Sequence, residues 1–173
     1  MQKVSLYRSP WLRAASIAAC VLLAAFIFSM SAEPATVSGD RSTGIAEQIL
    51  SAVVSDWEQM ELHAQNEMLS SADHILRKIT HFCIYTALGV LLCLASLGFA
   101  ATRRVHVLRS LLIGALYAAS DELHQAFVPG RGPAVTDVLL DSVGALCGIA
   151  VLLLIVCCKC NKRQDPVSLS HLR

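Results

Sequence analysis

Four apolar runs, each about as long as the roughly 20 residues a helix needs to cross a bilayer, dominate this sequence of 173 residues. They extend from about Trp11 to Met30, Ile79 to Ala101, Val107 to Phe127 and Val138 to Cys158, and the third and fourth are interrupted by charge at one end. Backbone polar groups in hydrocarbon must be satisfied within the segment, so runs of this kind fold as helices. The expectation is an all-α membrane protein with four transmembrane helices. A chain that is 55% hydrophobic and 16% charged is neither disordered nor a nucleic-acid binder.

The net charge of +1 hides a segregation along the chain. Lys3, Arg8 and Arg13 precede the first run, Arg103, Arg104 and Arg109 join the second to the third, and Lys159, Lys162, Arg163 and Arg173 follow the fourth. The segment 31–73 is instead acidic, with Glu33, Asp40, Glu47, Asp56, Glu58, Glu61, Glu67 and Asp73. Basic flanks stay in the cytoplasm, which puts both termini inside and the acidic loop outside. Residues 1–10 then form a cytoplasmic N-terminus, 11–30 the first span, 31–76 the outer loop, 77–158 a core of three further spans, and 159–173 a cytoplasmic tail. The first run also reads as a cleavable signal peptide ending at Ser31 and Ala32, although its core is long and Met30 is a poor residue before a cut.

Within the outer loop Ile45, Ile49, Val53, Trp57, Met60, Ala64 and Met68 recur every three or four residues. That spacing predicts an extracytoplasmic amphipathic helix between the first and second spans. Its acidic polar face argues for packing over the outer mouth of the bundle rather than for attachment to anionic lipid.

Polar residues gather at the outer ends of the last three spans. Arg77, His81, Tyr85 and Gly89 are four apart and make one stripe. Gly114, Tyr117, Asp121, His124 and Gln125 share a face of the third span, and Asp137 and Asp141 lie one turn apart in the fourth, continued by Gly144 and Gly148. Small residues four apart let helices approach closely, so this face belongs to a shared interior. In the turn between the third and fourth spans Pro129 ends a helix, Gly130 takes a positive φ, and Arg131 is aimed back over the helix ends, while Thr136 is placed to cap the fourth. A guanidinium held this way suits a carboxylate or phosphate. The bland alternative is a set of ion pairs locking the bundle, Arg77 to Asp141 and Arg131 to Glu122. Lys78 and Glu122 stand beside the stripes and read, taken alone, as solvated flank charges; Tyr85 reads as an interior packing residue with one hydrogen bond.

Two blocks, "RKITHFCIYTALG" (Arg77 to Gly89) and "SDELHQAFVPGRGPAVTDVLLDSVG" (Ser120 to Gly144), resemble the VanZ-like family of small multi-pass bacterial membrane proteins, named for a member linked to teicoplanin resistance. The family pattern falls on Arg77, Lys78, His81, Tyr85, Ser120, Asp121, Glu122, Gln125, Pro129, Gly130, Arg131, Asp137 and Asp141. With Thr80 the sequence departs from the alanine common among relatives, and the acidic loop matches no family motif. The resemblance implies a membrane protein of the cell envelope and a site better than it implies a reaction. Some relatives carry a phosphotransbutyrylase label, yet no glycine-rich phosphate loop or α/β pattern suits acyl-CoA chemistry here.

Two functions are compatible with these residues. One is binding of a membrane lipid or lipid-linked envelope component by Arg77, Lys78, His81, Tyr85, Asp121, Glu122, His124, Gln125, Arg131, Asp137 and Asp141, with an expected link to antibiotic resistance. The other is an intramembrane enzyme whose catalytic candidates are His81, Asp121 and Asp141. Serine chemistry fits poorly, since Ser120 points to a different helix face from His124. No cofactor motif and no zinc spacing is recognised: the seven cysteines read as small buried hydrophobes, with metal or lipid attachment at Cys157, Cys158 and Cys160 the lesser alternative. The sequence does not specify an oligomeric state.

The basic flanks make a testable topology. In a chain cleared of its own cysteines, Thr136→Cys is expected to label from outside intact cells and Thr102→Cys and Ser168→Cys only after permeabilisation; labelling of Thr136→Cys from inside alone reverses the arrangement.

Overall fold

A computed structural model describes residues 9–161, with side chains through Cys158. Lys3 and Arg8, the side chains of Lys159 and Cys160, and Lys162, Arg163 and Arg173 lie outside the described residues. Five α-helices make up the fold: α1 (Pro10–Ser31), α2 (Ala35–Val53), α3 (Leu62–Leu97), α4 (Arg103–Gln125) and α5 (Val135–Asn161), with one 3₁₀ turn at Trp57–Gln59 and no strand among the described residues.

Among the described residues three helices are long and apolar enough to cross a membrane: Pro10–Ser31, Leu62–Leu97, and α5 over Val135–Cys158. The chain is a multi-pass membrane protein. The fourth expected span is less plain. At 23 residues α4 is long enough, but it carries Arg103, Arg104, Arg109, Asp121 and Glu122. Its charges lie toward its two ends, and it turns Leu108, Leu112, Ile113 and Leu116 outward, all exposed.

Direction follows from contacts. Arg13, in the first turn of α1, lies over the Phe99 ring at 5.2 Å, so the start of α1 meets the turn between α3 and α4. At the other end Ser31, which closes α1, donates to Asp121 near the end of α4. Helix α1 therefore runs against α3 and with α4. The α3 and α5 pair is parallel: glycines 144 and 148 face Phe82 and Thr86 in the same order along both helices. A Cβ on Gly148 would lie 2.0 Å from the Thr86 carbonyl oxygen, one on Gly144 2.7 Å from that of Phe82, and one on Gly89 2.1 Å from that of Ala145. Backbones touch here, as the small-residue spacing requires. Further along, Cys93, Ile149 and Leu153 close the seam.

The outer loop departs from the expected amphipathic helix. One periodic stripe from Ile45 to Met68 requires an unbroken helix, whereas α2 stops at Val53, the chain extends at Val54, and α3 begins at Leu62. The second run accordingly belongs to a helix of 36 residues that starts 17 residues before Ile79. Nor does the apolar stripe of α2 pack: Ile45, Ile49 and Val53 are exposed. The buried side is small, with Ala46 fully covered, Gly39 against Arg77, and the Ser42 hydroxyl donating to Asp73 of α3. Packing followed fit and hydrogen bonding rather than apolarity, and of the apolar stripe Ile49 and Val53 are left facing outward while Ile45 borders a cavity. Thr136 does not cap α5, because the helix already includes Val135 and the Thr136 hydroxyl reaches Asp137 instead.

Overpacking a seam at backbone contact has a large penalty, typically about 1–3 kcal/mol where a core can adjust, and carbonyl oxygens cannot. Gly148→Ala is expected to lower thermal stability of the detergent-solubilised chain by at least this much, or to prevent folding. Gly44→Ala, where nothing lies within 4 Å of an added Cβ, is expected to leave stability equal or slightly higher, since alanine favours a helix over glycine by about 0.8–1 kcal/mol. Equal stability of the two variants would refute the seam.

Candidate functional site

The α3–α5 seam fixes the site, because His81 precedes Phe82 and Asp141 lies one turn before Ala145. The His81 Nδ1 lies 3.4 Å from Asp141 Oδ2. From α4, Asp121 reaches the same place: one donor atom each from His81, Asp121 and Asp141 fall within 4.8 Å of one another. Both aspartates are 3% exposed. Asp121 Oδ2 accepts from the Ser31 hydroxyl at 3.0 Å, Gln125 Nε2 at 3.1 Å and the Tyr85 hydroxyl at 3.4 Å. Asp121 Oδ1 and Asp141 Oδ1 are buried with no hydrogen-bond partner.

The cations nearby are committed elsewhere, and neither ion pair of the bundle-locking alternative forms. Arg77 lies 3.1 Å from Asp73, one turn back on its own helix, and not against Asp141. Arg131 donates to Gln125 Oε1 at 3.0 Å and to the backbone oxygens of Glu33 at 3.1 Å and Met30 at 3.2 Å, and not to Glu122. The turn does its expected work: Gly130 has φ 78°, and Arg131 is folded back over the helix ends. Burial most of all, then the Arg77 charge, pull the Arg131 guanidinium below its ordinary value, against the opposing carboxylates of Asp121, Glu33 and Glu122. It is a desolvated cation held by neutral partners and one amide.

Lys78 and Glu122 are not free flank charges. The Lys78 ammonium meets Asp137 at 2.6 Å, a half-exposed pair of small energetic value. Glu122 is 8% exposed and accepts the Ala134 backbone N–H at 2.5 Å, tying the end of α4 to the start of α5. Tyr85 is wholly buried, and its ring lies 6.2 Å from Tyr117, whose hydroxyl donates to the Ala24 carbonyl of α1. His124 turns away from the cluster and stacks on Phe28 at 4.4 Å. Ser120 is exposed and donates to the Tyr117 carbonyl.

Two cavities meet at this cluster. One, of about 220 Å³, is polar and is lined by Arg77, Lys78, His81, Glu122, Gln125, Arg131, Asp137 and Asp141 among others. The second, of about 260 Å³, is mostly apolar: Phe26, Ile27, Met30, Ile45, Leu76 and Ile84 form its walls, with Tyr85 and Ser31 also on its lining. Arg77, His81 and Arg131 border both. The Arg77 Nε is buried and has no hydrogen-bond partner.

Most of the contribution from α1 lies beyond what the sequence suggested. Ser31, read only as a small residue near a cleavage point, is a buried donor to Asp121, and the carbonyls of Met30 in the last turn of α1 and of Glu33 just beyond it hold Arg131. The signal available was position alone: a polar residue ending an apolar run on the same side as the other polar stripes.

Neither a curated protein nor a solved structure gives a significant match to the chain. A family model described as VanZ/LLP1 matches residues 16–156, which takes in α2, α3 and α4 whole and most of α1 and α5. The chain belongs to the VanZ/LLP1 family.

Proposed function

We propose that the protein binds an anionic amphiphile of the cell envelope, a membrane lipid or lipid-linked component, at the outer face of the membrane. The observation that carries this reading is the junction of the two cavities at shared arginines. A ligand with a charged head and an apolar tail fits a polar chamber bordered by Arg77, Lys78 and Arg131 that opens beside a chamber walled by Phe26, Ile27, Ile45 and Ile84. Arg77 has an unused donor and Arg131 is bound mostly to neutral acceptors, so both gain from a phosphate or carboxylate. In this reading α4 is the fourth span, its outward leucines facing lipid, and the basic residues at the opposite end face the cytoplasm. A role in protection against teicoplanin-type glycopeptides follows the family's namesake and is part of the proposal.

A second reading is favoured by one contact. An imidazole oriented by a buried carboxylate, His81 against Asp141, is the pairing a general base needs, which suits an intramembrane enzyme acting on a lipid-linked substrate. Incubation with radiolabelled lipid separates the readings: unchanged lipid at equilibrium accompanies binding, and a released product accompanies catalysis.

The binding proposal is checked with spin-labelled phosphatidylglycerol and phosphatidylcholine added to the purified chain in detergent. The wild type is expected to prefer the anionic lipid at least about tenfold, which is about 1.4 kcal/mol. Arg131→Gln and Arg77→Gln are expected to remove most of the preference. Thr80→Trp, projected into the apolar chamber, is expected to weaken both lipids together. Equal affinity of the wild type for the two lipids would exclude an anion-selective site.

A further inference from the structure

We propose that His81, Asp121 and Asp141 form a binding site for one divalent cation of the manganese class. Three helices supply the ligands, one each from α3, α4 and α5. The donors are an imidazole nitrogen and two carboxylate oxygens gathered within 4.8 Å. Donor atoms about 2.0 to 2.2 Å from an ion lie no more than about 4.4 Å apart, so binding draws the three side chains inward by a few tenths of an ångström. One imidazole with two carboxylates suits a cation that accepts oxygen and nitrogen, and carboxylates favour manganese over softer ions.

Geometry alone would describe many acidic clusters. What sets this one apart is a charge left over in a buried place. Lys78 answers Asp137, Arg77 answers Asp73, and Arg131 is spent on Gln125 and two backbone carbonyls. Asp121 receives only neutral donors, from Ser31, Tyr85 and Gln125, all on Oδ2. Asp141 has only His81. Each aspartate keeps one oxygen fully buried without any partner. Two carboxylates at 3% exposure with a single histidine between them are an expensive arrangement unless a further positive charge joins them. A divalent ion balances both carboxylates with a neutral imidazole. The hydrogen bonds to Asp121 then serve as the outer support that orients a metal ligand.

The site needs no lipid, so it is tested on the chain alone and stands apart from the outcome of the lipid experiment. The probe is Mn²⁺, because Cys83, Cys157 and Cys158, exposed rather than buried as the sequence suggested, would compete for softer ions. Full-length chain carrying no polyhistidine tag is treated with a chelator, exchanged into metal-free detergent and titrated, with free hexaaquo Mn²⁺ followed by electron paramagnetic resonance. One saturable site per chain is expected. His81→Gln, Asp121→Asn and Asp141→Asn are each expected to weaken it at least about tenfold. His63→Gln, which removes the exposed His63–Glu67 pair at the far end of α3, is expected to leave it unchanged. Thermal unfolding supplies a second readout that separates lost binding from lost folding. Mn²⁺ raises the wild-type midpoint by mass action, whereas Asp141→Asn is expected to melt at or above the metal-free wild type and to gain nothing from Mn²⁺. Absence of saturable Mn²⁺ binding to the wild type, or wild-type affinity in all three ligand variants, overturns the proposal.

Discussion

Contact between the backbones of α3 and α5 is the constraint on which everything at the site depends. With glycine at 89, 144 and 148, carbonyl oxygens of each helix sit where a side chain would otherwise begin. That proximity is what allows short side chains to meet across the interface. His81 and Asp141 have limited reach, and a helix pair at the usual separation of 8–10 Å would leave them further apart. The parallel course of the two helices matters as well. It brings the polar first turns of α5 beside the middle of α3, so that the acidic start of one helix lies against the basic stripe of the other.

Around that contact the chain distributes its cations with economy. Each arginine or lysine near the site is matched to a specific oxygen outside the buried carboxylate pair, whether of Asp73, Asp137, Gln125 or the backbone of Met30 and Glu33. Simple bundle-locking would have set arginine against the deepest carboxylates, where the attraction is strongest and the unpaired state most unfavourable. The structure instead leaves the deepest negative charges to histidine and neutral donors, and holds the arginines at the mouths of two cavities. This division supports the binding reading proposed above over one in which the charges only close the bundle.

Helical class, the apolar runs around α1, α3 and α5, and the convergence of the polar stripes were legible in the sequence because each rests on a local period. Spacing of four residues puts Arg77, His81 and Tyr85 in line whatever the tertiary structure, and Gly130 and Pro129 enforce a turn by their own stereochemistry. Pairing was not legible. Arg77 found Asp73 on its own helix, an i, i+4 neighbour that the sequence also displays, and Asp141 found His81 rather than a guanidinium; which of several opposite charges meet is settled by helix register. The loop helix was misread for a related reason. Periodicity registers which residues are apolar but not whether the backbone stays helical between them, and Val54 to Glu61 break it. Glu122 shows a third limit: its partner is a backbone N–H, which no side-chain pattern reveals.

Arg131 carries a thermodynamic consequence of its own. Its guanidinium bridges the carbonyl oxygens of Met30, in the last turn of α1, and of Glu33, just beyond it, and the Met30 oxygen also receives the Glu33 N–H at 3.4 Å. Any anion that takes hold of this group must first compete with those oxygens, and hydrogen bonds to a charged donor are worth about 1.5–3 kcal/mol each. At Arg131, unlike at Arg77 with its unpartnered Nε, anion binding would be an exchange, and the displaced partner would be the chain at the end of α1. For the anion binding proposed above, affinity and the fraying of the α1 terminus would be two sides of one equilibrium: whatever loosens that helix end would tighten the grip on the anion, and a firmly capped helix would hold it weakly.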